Sequence, residues 1–243
     1  MIRRAAFAPV FQPIVDLQSG RALGYEALTR FADGTRPDLV FAQAARLGLG
    51  AELEKGTLAA AIAAAGALPR GTFLSLNVSP ALLLGDGSLP SAVEAAAREV
   101  VLEITEHEVI ADYARLRERL LIGGRRLPIA VDDAGAGVAN FTHLVELRPN
   151  FVKVDVGLVR GVDTDVGRQA IVAALLHFAR QTGCRVIAEG VETDAERAAL
   201  MQLGVELAQG YLFGKPAPAE TWGRPPVSAA RRPRTRARIT ADV

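Results

Sequence analysis

A chain of 243 residues, 50% hydrophobic and 23% charged, has the composition of a globular protein with a sizeable core, arranged as one large α/β domain or two small ones. Its net charge of +1 combines a tail over 224–243, with six Arg and one Asp, and a body near −4; a mildly acidic body gives no reason to expect a groove for nucleic-acid polymers. The single cysteine, Cys184, excludes an internal disulfide and fits a reducing cytoplasmic setting, and no apolar run approaches the ~20 residues that span a membrane.

The chain opens as a hairpin: "FAPVFQPIV" and "RALGYEALTRF" flank the turn-forming "DLQSG". Pro9 and Pro13 interrupt the start, so no signal peptide is expected. "DLVFAQAARLG" and "AELEKGTLAAAIAAAGALP" then show helical spacing with Gly and Pro stops. From there strands and helices alternate. The strands are "TFLSLNVSP", "VVLEITE", "LPIAVDDAGAG", "FVKVDV", "CRVIAEGVE" and "VELAQGYLFG". The helices are "SAVEAAARE", "DYARLRERLLIGG", "NFTHLVEL", "DVGRQAIVAALLHFARQTG" and "DAERAALMQLG". The basic, Pro-rich tail reads as disordered.

Near-continuous apolar strands between helices indicate a parallel sheet covered on both faces. Two hairpin strands followed by six more suit a modified (β/α)8 TIM-like barrel, α/β in class, in which the hairpin supplies an antiparallel first strand. An open, doubly wound sheet fits the same periodicity.

The strands share one feature: each ends in a polar residue just before its loop. In chain order these are Asn77, Glu103, Asp132 with Asp133, Lys153 with Asp155, Glu189 and Gln209, joined by Glu26 from the hairpin. In a parallel barrel those ends meet on one rim, where such barrels place their active sites. A single polar strand end is as well explained by contact with water. The set is not, because it is dominated by carboxylates in apolar surroundings, and converging carboxylates are costly unless a cation joins them. Carboxylates with one amide oxygen suit Mg²⁺ or Mn²⁺ better than Zn²⁺. His107, His143 and His177 are read as structural. Asp132 and Asp133 could each reach a different ion, as two-ion phosphoryl chemistry requires. Lys153 could hold or deprotonate a water, or form a structural salt bridge with Asp155, which lies two residues on along the same strand. Arg30 is placed to meet a phosphate, with a plain surface role as the alternative.

The quoted residues closely resemble the EAL domain family, bacterial phosphodiesterases of cyclic di-GMP. The signature stands at Glu26-Ala27-Leu28, with Arg30 completing its extended form, and "LNVSP", "LEITE", "VDDAGAG", "VKVD", "AEGVET" and "QGYLFGKP" follow in family order over about residues 7–218. The resemblance implies a modified (β/α)8 barrel and two Mg²⁺ or Mn²⁺ ions. It assigns Glu26, Asn77, Glu103 and Asp132 to one ion, and Asp132, Asp133 and Glu189 to the second. Lys153, Glu189 and Gln209 become catalytic, with Lys153 orienting or activating the attacking water. Arg30 grips a substrate phosphate, with Gln12 and Leu28 along the substrate groove. Glu106, Asp155 and Glu192 support the site, Glu106 by holding the loop after Asp133. The implied reaction opens one phosphodiester of cyclic di-GMP to give linear pGpG, in a cytoplasmic homodimer. Residues 1–222 would form the EAL domain and 223–243 the tail, with no room for a sensor or cyclase domain, so the chain reads as a stand-alone EAL domain.

The sequence departs from the family pattern after the paired aspartates. Ala134 stands where a large aromatic is usual, and Ala136 replaces a hydroxyl, which touches dimer coupling and not the ligands. Two other readings compete. One is a catalytically silent EAL domain acting as a cyclic di-GMP receptor or protein-interaction module. The other is an unrelated Mg²⁺ barrel enzyme that abstracts a proton beside a carboxylate. The doubled aspartate and the hairpin signature argue against the last.

Overall fold

The structure, a computed structural model, describes residues 7–85, 93, 96–105, 110–122, 124–134 and 140–223. The opening hairpin is formed by β1 (Phe7–Asp16) and β2 (Ala22–Phe31). Its turn is shaped by Asp16, whose Oδ1 accepts from the Ser19 N–H at 2.7 Å and the Ser19 hydroxyl at 2.6 Å. The chain continues through β3 (Phe73–Asn77), β4 (Val100–Thr105), β5 (Leu121–Ile122), β6 (Arg125–Arg126), β7 (Ile129–Ala134), β8 (Phe151–Val154), β9 (Arg185–Ala188) and β10 (Leu207–Gln209). The helices are α1 (Pro37–Arg46), α2 (Gly50–Ala64), α3 (Pro80–Leu84), α4 (Tyr113–Arg119), α5 (Asn140–Leu147), α6 (Val156–Val159), α7 (Val166–Thr182), α8 (Asp194–Leu203) and α9 (Ala219–Gly223).

Eight of the strands close into a barrel in the order β1-β10-β9-β8-β7-β4-β3-β2. β1 runs antiparallel to both its neighbours, β2 and β10, and every other barrel pair is parallel. Closure decides against the open sheet. The antiparallel first strand is the one expected from the hairpin.

Strand period explains how the barrel is filled. Outward residues such as Leu74, Leu76, Leu102, Ile104, Ile129 and Val131 belong to the large core under the helices. Inward residues form two layers. The lower one is apolar, with Ile14, Phe73, Val101, Ala130, Ile187 and Leu207 packed with Leu23 and Phe151. Two residues further along each parallel strand, on the same face, come Ser75, Glu103, Asp132, Lys153, Glu189 and Gln209. On the antiparallel β1 the step reverses, and Gln12 lies two residues before Ile14, opposite Glu26. Gly24 closes the apolar layer beneath Glu26: a Cβ there would lie 2.4 Å from the Phe73 ring, which itself stacks on Phe151 at 5.5 Å.

The longest helix is capped as its sequence suggests. Asp165 accepts from the N–H groups of Gly167 at 2.8 Å and Arg168 at 3.2 Å, and Gly183 ends α7 with φ 76°. α8 has a full capping box between Thr193 and Glu196. Four local expectations change. The helix expected over "DYARLRERLLIGG" stops at Arg119, because the chain turns through Gly124 at φ 77° into the two-stranded β5–β6 hairpin. α3 takes the last residue of the expected strand, Pro80, and four residues to which no element was assigned, started by the Ser79 cap and Pro80 at its first position. The last strand is three residues long, Leu207–Gln209, shorter than "VELAQGYLFG". Residues 91, 92, 94 and 95 of "SAVEAAARE" and the tail beyond Gly223 lie outside the described residues, and the helix expected there does not extend over 96–99, which run as a bend into β4.

Candidate active site

The inward polar layer converges on Lys153, which is 1% exposed. Its Nζ lies 2.7 Å from Glu189 Oε1, 2.8 Å from Glu103 Oε2, 3.0 Å from Asp132 Oδ1 and 3.6 Å from Glu26 Oε2. Glu189, Glu103 and Asp132 come from the ends of different parallel strands and Glu26 from the middle of β2, so the barrel's closure brings them together. Glu103 is fully buried, and its Oε1 accepts a 2.5 Å hydrogen bond from the buried Ser75 hydroxyl. Glu26 is held from two sides: Asn77 Nδ2 donates to its Oε1 at 3.0 Å, and Gln209 Nε2 donates to its Oε2. Gln209 also donates to Gln12 Oε1 at 3.0 Å, and Gln12 Nε2 reaches the Gly214 carbonyl at 3.1 Å.

Adjacent residues on a regular strand face opposite ways, so Asp132 and Asp133 need a device to share one site. A register shift between Val131 and Ala134 supplies it. Asp133 takes φ 55° there and donates its N–H to Asp132 Oδ1 at 3.1 Å. A bulge of this kind re-aims a side chain at the cost of the left-handed backbone, which Asp tolerates better than most residues. One carboxylate oxygen each from Asp132, Asp133 and Glu189 can lie within 4.8 Å of one another.

The charges do not balance. Among the described residues, four carboxylates face a single ammonium. Burial, then the neighbouring Glu26 charge, pushes the Glu103 carboxyl up to about 8. Burial also drives Glu189 well above its ordinary value. For Lys153 burial acts to lower the pKa, but Asp132, Glu103, Glu189 and Glu26 together outweigh it and hold the ammonium well above its usual range. Gln209 Oε1 is buried without a hydrogen-bond partner. A surplus of hard oxygen donors, a set of three carboxylates within ligand spacing and an orphaned acceptor fit one or more divalent cations. Among the described residues no imidazole joins this set: His143 is buried away with Tyr113, 3.1 Å from its hydroxyl, and His177 is exposed on α7.

The family model for the EAL domain matches residues 1–216. The chain belongs to the EAL domain family. The cyclic di-GMP phosphodiesterase PA2567 of Pseudomonas aeruginosa is 32% identical over 86% of this chain. The manganese and cyclic di-GMP complex of Klebsiella pneumoniae BlrP1 superposes with a TM-score of 0.78 at 32% identity, covering 89% of this chain and 57% of that one. A standalone EAL protein from Vibrio cholerae O395, solved with cyclic di-GMP bound, gives 0.76 at 32% identity over 88% of this chain and 93% of its own. The chain spans less than half the length of the curated relatives it matches, 38% for PA2567 and 40% for a Mycobacterium tuberculosis relative.

In this EAL domain the residues expected at the site fall into two groups. Glu26, Asn77, Glu103, Asp132, Asp133, Lys153, Glu189 and Gln209 gather at the barrel end. Gln12, Leu28 and Glu192 line the mouth above them, a cavity of about 470 Å³ that also includes Tyr211 and Arg160. Arg30 is exposed on the outer part of β2, where its Nη1 donates to the Thr29 carbonyl at 2.9 Å. It lines a neighbouring cavity of about 300 Å³ with Leu28, Phe41, Glu54 and Asn77. Leu28 borders both cavities.

Asp155 corrects the sequence reading. β8 ends at Val154, one residue short of the strand position expected for Asp155, whose side chain caps α6, accepting from the Gly157 N–H at 2.8 Å. Lys153 makes its ion pairs with the four carboxylates instead. Glu192 lies exposed at the rim, paired with Arg160 at 2.8 Å. Ala134, where the family has a large aromatic, is fully buried and paired with Val154. Glu106, His107 and Ala136 lie outside the described residues. Ser75 escaped the sequence reading. Its signal was available, since it lies two residues before Asn77 and so faces the same way.

Proposed function

We propose that this EAL domain hydrolyses one phosphodiester of cyclic di-GMP to linear pGpG. The observation that supports this best is the gathering of four carboxylates and Lys153 at the barrel end, with Asp132, Asp133 and Glu189 in ligand spacing. On this reading Glu26, Asn77, Glu103 and Asp132 hold one Mg²⁺ or Mn²⁺ ion, and Asp132, Asp133 and Glu189 hold a second. A pair of divalent ions makes water nucleophilic near neutral pH and offsets charge on a phosphoryl group in flight.

The chain's own groups then divide the remaining work. Lys153 is held as an ammonium by its neighbours, so it orients a water and offsets developing charge; it does not take the proton. Glu189, whose Oε1 lies 2.7 Å from Lys153 Nζ, would share the work of placing that water as a ligand of the second ion. Gln209 offers its unpartnered Oε1 to a water or a ribose hydroxyl. Leu28 lies between the two cavities, and Arg30 at the outer one meets a phosphate with its planar fork. Asp155 and Glu192 act behind these groups, through the α6 turn and the rim ion pair.

The protein would act as a homodimer in the cytoplasm. α5 follows directly on the loop after the paired aspartates and exposes Phe141 and Val145, one turn apart, at 62% and 61%. Among the described residues no helix is long and apolar enough to cross a membrane.

Purified protein incubated with cyclic di-GMP and Mn²⁺ should yield pGpG by chromatography, and Glu26→Ala should abolish that yield. Tight binding without turnover would replace the enzyme with a receptor for the dinucleotide. Substantial turnover by Glu26→Ala at saturating Mn²⁺ would remove Glu26 from the ligand set.

A further inference from the structure

Glu54, on α2, lies in none of the expected site sets, yet its carboxylate grips the turn that follows Asn77. Oε1 accepts from the Ser79 N–H at 2.6 Å and Oε2 from the Ser79 hydroxyl at 2.7 Å. The Ser79 oxygen also accepts from the Leu82 N–H at 3.1 Å, starting α3. Upstream, the Val78 N–H donates to the Glu103 carbonyl at 2.9 Å, and Asn77 Nδ2 donates to Glu26 at 3.0 Å. The backbone around Asn77 is therefore fixed on one side by the barrel and on the other by Glu54. Capping α3 needs only the serine hydroxyl. A carboxylate accepting two donors from one residue adds charge-assisted bonds, roughly twice as strong as neutral ones, and ties that residue to a separate helix. Glu54 also borders the cavity of about 300 Å³ that holds Leu28, Arg30 and Asn77.

We propose that Glu54 is a positioning residue for Asn77: its clamp on Ser79 sets the end of β3 so that the Asn77 amide meets both Glu26 and the cation. The inference rests on the reading that Asn77 belongs to a metal-bearing hydrolytic site. Loss of the clamp leaves the barrel ladder intact and lets the β3–α3 turn relax, so the site suffers before the fold does.

The test compares Glu54→Ala, Glu54→Gln, Ser79→Ala, Asn77→Ala and the Glu54→Ala/Asn77→Ala double variant in the full chain. The readouts are the Mn²⁺ dissociation constant, by calorimetry on protein without nucleotide, and kcat and KM for cyclic di-GMP. Glu54→Ala should weaken Mn²⁺ binding by about 10–100-fold, the usual effect of losing a partner behind a ligand, with a melting temperature within a few degrees of wild type. Glu54→Gln keeps an oxygen for the Ser79 N–H and should recover most of the affinity. The double variant should be no worse than Asn77→Ala alone, because Glu54 acts through that side chain. Unchanged Mn²⁺ binding in Glu54→Ala, or additive losses in the double variant, would overturn the proposal. If Glu54→Ala fails to fold, unchanged Mn²⁺ binding in Ser79→Ala overturns it equally. Wild-type protein that neither binds Mn²⁺ nor turns over overturns the metal-site reading as well. Wild-type activity with an unaffected Glu54→Ala removes this inference alone.

Discussion

Lys153→Met would test the cage directly. Methionine keeps the length and apolar stem of lysine and removes only the ammonium. Four carboxylates within 2.7–3.6 Å then lose their shared partner. Removing one member of a buried ion pair costs roughly 3–5 kcal/mol, because a buried charge is left uncompensated. For a domain of this size each kcal/mol shifts the melting temperature by about 2–4 °C, so the drop should be roughly 6–20 °C.

The cost depends on pH with a definite sign. Glu103 titrates at about 8 in the fold against an ordinary 4.5 for a solvated glutamate, so the native state retains a proton that the unfolded chain releases across that window. Stability of the metal-free protein therefore falls as pH rises from about 4.5 to 8, and it falls more steeply in Lys153→Met, where the carboxylates are harder still to ionise. Differential scanning fluorimetry at pH 6 and pH 8.5 without metal, repeated with Mn²⁺, reads all of this. The expected order is a small deficit at pH 6, a large one at pH 8.5, and partial recovery with Mn²⁺. A deficit below about 1 kcal/mol at both pH values would mean that the carboxylates are solvated and the cage argument is wrong.

Three further outcomes can be measured independently. Because ligands must shed protons to bind metal and Glu103 titrates at about 8, Mn²⁺ affinity should climb with pH up to about 8 and level off above it. Calorimetry in buffers of different ionisation enthalpy would show proton release on binding, and an affinity flat from pH 6 to 8 would contradict the assignment. Gly24→Ala places a methyl 2.4 Å from the Phe73 ring and should destabilise by about 1–3 kcal/mol in urea unfolding, the usual cost of overpacking. A neutral result would mean that the apolar floor yields freely. Arg30→Ala should raise KM for cyclic di-GMP with little change in kcat, as removal of uniform binding does; an equal loss of kcat would place Arg30 nearer the reacting phosphate.

Much of this was legible in the sequence because the barrel obeys period 2. Once the strands are recognised, Glu103, Asp132, Lys153 and Gln209 must face inward at successive strand ends, and closure alone makes them neighbours. What was not legible depends on departures from that period. Asp133 shares a site with Asp132 only through a register shift, which no pattern of residues announces. Asp155 left the strand because its side chain found a helix N–H to accept. Glu54 was invisible because its target, Ser79, lies across a helix–strand contact 25 residues away in sequence.

The register shift has a consequence for how such a site can change. Two carboxylates reach one site from one strand only because that strand carries one residue more than its neighbour β8 needs. Deleting Asp133 would return β7 to regular pairing with β8 while sparing the strands that carry Glu26, Glu103 and Lys153. If the proposed second ion is held there, the smallest edit that would retire it is thus also one that relaxes the backbone. On the proposed reading, one codon's deletion would remove a ligand of the second ion and the left-handed backbone at residue 133 together.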